Sequence, residues 1–177
     1  MAIGSASGIS VTDVRTSAEG PAAPLGFEIV KAAPAASDGT YPNGMQVWVY
    51  VFNDEAATKF SAGEVIYRDP SACTFDFYGG LISPATAHQP KVMCLGVAQH
   101  DIAAGSYGFI LKKGVGTVLA GSAGCAVDSA FTTGGSAVGT ILAHADDTTD
   151  GANISVIGHT ATAISAGSTG TAWIDCG

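Results

Sequence analysis

The sequence has few charged residues and very few positive ones. Of its 177 residues 12% are charged, about half the share usual in soluble domains. Only 7 Lys and Arg residues stand against 15 Asp and Glu residues, so the net charge is −8. Phosphate contacts need clustered Lys and Arg, and the only adjacent basic pair is Lys112-Lys113. We therefore expect no nucleic-acid binding, and a surface made of small polar residues or covered by another protein.

Long apolar runs are missing too. No stretch reaches about 18 consecutive apolar residues, so we expect no membrane span. The first residues, MAIGSASGIS, have neither a basic start nor a long apolar run, and we do not interpret them as a secretory signal. Without export the thiols are expected to be reduced and buried as small apolar side chains. The four cysteines are Cys73, Cys94, Cys125 and Cys176.

Signatures of catalysis and of cofactor binding are equally scarce. There is no G-x-S-x-G nucleophile elbow and no Cys or His spacing that suits zinc. The glycines at 114–117 are followed by no G-K-[ST], and we interpret them as a hairpin turn. Asp146 and Asp150 resemble the first half of a calcium loop, but Ile157 stands where the bidentate acid is required. We expect no catalytic, cofactor-binding or metal-binding residue, while a cation at Asp146 and Asp150 stays open.

Glycine and short apolar runs dominate what is present. There are 24 glycines, and hydrophobic residues make up 47% of the chain, a mixture typical of short strands joined by tight turns. No window keeps a period of 3.6 residues for more than about two turns. The sequence therefore predicts an all-β fold, with loops at 120–136 and 144–152 and with Phe75 and Phe77 on the core face of one strand. The predicted strands are 27–31, 45–52, 64–68, 74–78, 92–99, 106–112, 115–119, 138–143, 153–158 and 170–175.

A strand–turn–strand segment occurs twice, at 95–108 and 157–170. The two copies lie 62 positions apart and share no acid, base or metal ligand, which indicates repetition of shape. We expect the glycine of each Ala-Gly turn, Gly105 or Gly167, to reverse the chain. The last glycine of each copy, Gly108 or Gly170, is expected to mark a bulge or a close crossing of backbones. The isoleucine of each copy is expected to point inward. The structural turn residues are Gly96, Gly105 and Gly108 in the first copy, and Gly158, Gly167 and Gly170 in the second.

The chain divides into an extended N-terminal arm, residues 1–25, and one all-β body of related units, residues 26–177. Pro21 and Pro24 interrupt regular structure in the arm. Two interpretations stay open: a frayed terminus, or a strap that becomes ordered on a partner's surface. The apolar residues that would anchor a strap are Ile3, Ile9, Val11 and Val14.

The strand predicted at 45–52 is apolar on both faces, so both faces need a cover. One face carries Trp48, Tyr50 and Phe52. The cover is either the opposite sheet with a loop, or another subunit that contacts these aromatic side chains. Together with the four anchors of the arm, these three residues are the candidate contacts with a partner or a second subunit.

Several of these segments resemble the small decoration, or cement, proteins of tailed bacteriophage capsids. The resemblance covers about residues 25–177 and includes an upstream apolar strand, AGEVI at 62–66. This chain differs from the smallest members in its length and in its second copy of the repeat. The segments that carry the resemblance are PKV at 90–92, LGVAQ at 95–99, IAAGSYGFI at 102–110 and KGVG at 113–116.

The resemblance implies a compact β-barrel, β-tulip or sandwich body that forms a homotrimer. It also implies a virion protein without catalytic activity, made in the host cytoplasm and bound to the capsid exterior. Its partner would be the major capsid protein, whose subunits it would hold together. Two alternatives stay open: a tail, neck or fibre β module with an adhesive or connecting role, and a small hydrolase on a β scaffold.

Overall fold

The computed structural model describes residues 8–33, 44–71, 77–134, 137–144 and 155–177. These residues form eleven strands in one hydrogen-bonded sheet, and a single 3-10 turn at Lys91–Met93. The predicted all-β fold is confirmed. The strands are β1 (Arg15–Thr16), β2 (Glu28–Ala32), β3 (Met45–Asn53), β4 (Val65–Arg68), β5 (Gly79–Ile82), β6 (Cys94–Val97), β7 (Ser106–Leu119), β8 (Ala130–Thr133), β9 (Ile141–Ala143), β10 (Gly158–Thr160) and β11 (Thr169–Asp175).

Five of these strands close into a barrel. Their order is β3-β5-β4-β6-β7, and β7 pairs back onto β3 through six residue pairs from Phe52–Tyr107 to Val47–Lys113. Only β3 and β5 run parallel. Apolar side chains that alternate along the strands fill the interior, as a small barrel requires. The buried interior residues include Val49, Val51, Phe60, Ile66, Leu95, Ile102 and Ile110.

A second ring follows with the same strand order. It begins with the C-terminal half of β7 and continues through β9, β8, β10 and β11, and β11 pairs back onto β7 from Thr169–Leu119 to Asp175–Lys113. A parallel bridge between Ala120 and Ile141 connects β9 to the end of β7. Its buried residues include Val118, Phe131, Ile141, Ile157, Ile164 and Ile174.

Strand β7 belongs to both rings. Its first half is the last strand of the first ring, and its second half is the first strand of the second. In both rings the first and third strands are joined by parallel pairing, and the other neighbours are antiparallel. The sequence repeat at 95–108 and 157–170 therefore marks the same corner of two topologically equivalent rings.

The predicted hairpin turn at 114–117 is wrong, because β7 runs through these residues without reversing. Gly114 has φ +118°, and a Cβ there would stand 2.7 Å from the carbonyl oxygen of Met45. A Cβ on Gly116 would meet the side chains of Leu111 and Gln99. These glycines permit close packing of neighbouring chain segments rather than a turn. Lys112 and Lys113 consequently lie in the middle of a strand and not at its end.

Other predictions differ in part from the structure. Strand β8 falls within the predicted loop at 120–136, and β5 was not predicted. Residues 72–76 lie outside the described residues, and with them most of the strand predicted at 74–78. Asp146, Asp150 and Ile3 also lie outside them.

Candidate contact surfaces

The repeated turns have matching backbone geometry. Gly105 has φ +66° and Gly167 has φ +65°, a conformation that favours glycine over residues with a Cβ. An added Cβ at either position would meet no atom within 4 Å. The requirement for glycine at these two positions is therefore conformational and not steric.

Gly96 and Gly158 lie against the next strand. A Cβ on Gly96 would stand 2.6 Å from the carbonyl oxygen of Leu111, and a Cβ on Gly158 would collide with the carbonyl oxygen of Trp173. Leu111 and Trp173 are themselves 62 positions apart. At this point the repeat preserves a close approach of two backbones.

Gly108 and Gly170 have a different role from the predicted bulge or backbone crossing. Each makes room for the buried isoleucine six residues earlier, Ile102 or Ile164. These isoleucines point inward, as the sequence pattern predicts. The same isoleucines form backbone bridges, Ile102 with Phe60 and Ile164 with Cys125. All six glycines of the repeat thus shape the corner of a ring.

The described part of the arm packs on the body of the same chain. Strand β1 pairs Arg15 and Thr16 with Tyr107 and Ser106 of β7. Val11 is 6% exposed and belongs to the core, Ile9 is partly buried against it, and Val14 is 38% exposed. Residues 8–25 are therefore attached to the fold without any partner.

The aromatic residues of β3 are covered within the chain. Trp48 and Tyr50 are buried, and the Tyr50 hydroxyl accepts a hydrogen bond from the Ala22 N–H at 3.1 Å. Trp48 Nε1 donates to Gln46 Oε1 at 3.1 Å, and the Lys31 ammonium lies 5.2 Å from the indole centroid. Their cover is internal, but it consists of the arm and β2 and not of the predicted opposite sheet with a loop. Of the three aromatic candidates, only Phe52 is partly exposed.

An open groove of about 510 Å³ lies on the first ring, and sequence analysis did not find it. Phe77 and Val92 are 61% and 75% exposed, contrary to the predicted core position of Phe77. The Arg68 guanidinium lies 5.8 Å from the Phe77 centroid and 5.5 Å from that of Tyr78. We call the surface formed by Arg68, Phe77, Tyr78, Val92 and Met93 the Arg68 groove. No sequence signal indicated it, because its residues come from three separated segments.

Among the described residues, Arg68 is the one basic residue that lines this groove, and a lysine lines the cavity next to it. Lys112 and Arg68 line an adjoining cavity of about 210 Å³, and Lys112 Nζ lies 2.8 Å from Glu28 Oε1. The two carboxylate oxygens of Asp175 lie 3.4 Å from Lys91 Nζ and 3.9 Å from Lys113 Nζ. These three lysines are thus paired with carboxylates, whereas Arg68 forms no ion pair with a described residue.

The described thiols are held as neutral groups. Burial raises the pKa of Cys94 to about 12 and raises that of Cys176 well above its ordinary value. Burial also raises the pKa of Cys125 and lowers that of the His100 imidazole. A thiol with a raised pKa is a poor nucleophile at neutral pH because the thiolate is the reactive form.

The described residues contain no group of three or more His, Cys, Asp or Glu side chains that could hold a metal ion. Within the same residues, no helix has the length and hydrophobicity that crossing a membrane requires.

Comparisons with known proteins found no match in sequence and a likeness in structure. No protein-family model matches the chain, and no curated protein sequence matches it significantly. One solved structure with a similar fold is the head fiber gp8.5 N base of bacteriophage phi29. The two share 18% sequence identity with a TM-score of 0.49, over 75% of this chain and 96% of that one.

Proposed function

We propose that the protein is a structural component of a bacteriophage virion that binds the outer capsid surface and stabilises the shell. Its partner in this role is the major capsid protein, and its working form is a homotrimer made in the host cytoplasm. The resemblance of residues 25–177 to capsid decoration proteins supports the proposal. The proposed role is binding to other virion proteins and includes no catalysed reaction.

The observation that carries it is the duplicated ring. Two rings of the same order share the 14-residue strand β7, so the chain forms a continuous body with two related ends. What the repeat preserves is glycine–backbone and glycine–isoleucine packing, with no reactive group in common. Duplication of packing without duplication of chemistry is suited to a protein that acts through its shape.

Exposed apolar side chains supply contact area on both rings. Val30 on β2 and Met45 at the start of β3 are exposed beside the first ring, and Val138 is exposed on the second. Apolar side chains in such positions gain free energy when a partner removes them from water. Of the predicted contact residues, Val14 and Phe52 keep enough exposure to touch a partner directly, whereas Val11, Trp48 and Tyr50 would act by holding the arm in place.

The proposal is tested with expanded capsids of the encoding phage assembled without this protein. Purified protein should co-sediment with them to a saturating ratio, and the decorated shells should resist heat better than the bare ones. Electron microscopy of labelled virions should show the label on the head. Absence of binding together with a label on tail or neck would support the tail, neck or fibre module instead. Hydrolytic turnover by the purified protein would support the hydrolase.

A further inference from the structure

An exposed turn on the second ring carries an apolar and an acidic side chain, the two kinds of group that the Arg68 groove could bind. The turn Val127–Asp128 precedes β8 of the second ring, and these residues have exposures of 60% for Val127 and 91% for the Asp128 side chain. The Asp128 N–H donates to Thr160 O at 3.0 Å, and the Ser129 N–H donates to Thr160 Oγ1 at 3.0 Å. The base of the turn is thus fixed while its apolar and acidic tip extends into solvent.

The tip of this turn has a fixed backbone. Asp128 has φ +57°, the left-handed region that Asp tolerates better than most residues. The nearest basic group described is the His159 imidazole, with Nδ1 4.0 Å from Asp128 Oδ1. Among the described residues no Lys or Arg forms an ion pair with this carboxylate. It is available to a cation outside the chain.

Charge is distributed unevenly between the two surfaces. Arg68 in the groove forms no ion pair with a described carboxylate, whereas Lys112 pairs with Glu28, and Lys91 and Lys113 pair with Asp175. The chain as a whole carries −8. The Arg68 guanidinium therefore favours an acidic side chain of another copy, and the exposed Phe77 and Val92 favour an apolar side chain next to it.

We propose that copies of this chain associate head to tail, with the Val127–Asp128 turn of one copy seated in the Arg68 groove of the next. The Asp128 carboxylate meets the Arg68 guanidinium, and Val127 packs against Phe77 and Val92. A two-fold contact between grooves would oppose like charges, so the contact is heterologous. Because the groove lies on the first ring and the turn on the second, successive contacts close into a ring of copies, which, following the proposed function, has three members.

The association is measured by sedimentation velocity on the purified full chain over a range of concentrations. Wild-type protein is expected to form an oligomer. Arg68→Glu and Asp128→Arg should each raise the dissociation constant about tenfold or more, and the double variant should recover much of the loss because it restores the opposite charges. Val138→Ser, which removes a comparable exposed side chain from the second ring, should leave the association unchanged.

Arg68 also donates a hydrogen bond to the carbonyl oxygen of Phe77, so Arg68→Glu changes the structure of the groove as well as its charge. A second groove variant is therefore needed. Val92→Asp changes a side chain that is 75% exposed, so its melting temperature should match the wild type while its association is lost. A wild-type monomer at every concentration, or an oligomer that survives Arg68→Glu, Asp128→Arg and Val92→Asp, would overturn the proposal. A wild-type monomer would also contradict the proposed homotrimer, whereas capsid binding is tested separately by co-sedimentation.

Discussion

Ile102 lies directly over the backbone of Gly108. A Cβ added to Gly108 would stand 2.7 Å from Ile102 Cδ1, and a Cβ added to Gly170 would stand 2.5 Å from Ile164 Cγ1. Both isoleucines are buried. Each isoleucine occupies the space that its glycine leaves free, so the two residues form one packing unit, which the chain contains once in each ring.

This relationship predicts that Gly108→Ala destabilises the fold through Ile102. The added methyl group has to displace a buried side chain, at a cost of about 1–3 kcal/mol in the free energy of unfolding. Ile102→Val removes Cδ1 and should relieve part of the overlap. The double variant should therefore lose less stability than the sum of the single variants, as measured by urea unfolding.

Gly96→Ala is the matched control for this cycle. Its Cβ would meet the backbone carbonyl of Leu111, which cannot rotate away. Ile102→Val should give no relief there, so the two changes should be additive. Additivity in the Gly108–Ile102 cycle as well would contradict the coupled packing.

Val11 and Val14 lie three residues apart in the arm and should respond differently to truncation. Val11 is buried in the core, so Val11→Ala should lower the free energy of unfolding by about 1–3 kcal/mol. Val14 is 38% exposed, and Val14→Ala should cost clearly less. Equal effects in chemical denaturation would mean that the arm does not pack on the body as described.

Removal of residues 8–25 should likewise lower the melting temperature, because these residues cover β3 and β7.

The Tyr50 hydroxyl holds the arm at Ala22. Tyr50→Phe removes the acceptor of the Ala22 N–H and should cost about 1 kcal/mol locally. Hydrogen exchange at the Ala22 amide should then be on the order of five times faster, while core amides of β7 change little. Tyr107→Phe is the control, since the described residues provide no hydrogen bond to that hydroxyl. An unchanged exchange rate in Tyr50→Phe would exclude this role.

Sequence patterns predicted the structure well where the pattern lies within one continuous segment of the chain. The apolar run at 45–52 predicted β3, and the repeated segment at 95–108 and 157–170 predicted two equivalent corners. Prediction failed where distant segments decide the conformation. Gly114 was predicted to lie in a turn. Its missing side chain instead allows Met45, almost seventy residues earlier in the sequence, to approach it across the sheet. The Arg68 groove was missed for the same reason, since Arg68, Phe77 and Val92 meet only after the first ring closes.

The buried Cys94 thiol predicts a loss of stability in alkali. Burial raises its pKa to about 12 in the folded protein, whereas an unfolded thiol titrates near pH 8.5. The folded state thus holds its proton longer, and the associated stability is present below about pH 8.5 and is lost as the pH rises toward about 12. The free energy of unfolding should fall by on the order of 1 kcal/mol per pH unit for this group. Cys94→Ala, compared with wild type by urea unfolding from pH 8 to 11, should show a shallower decline. Identical declines would mean that the Cys94 thiol ionises as easily in the folded chain as in the unfolded one.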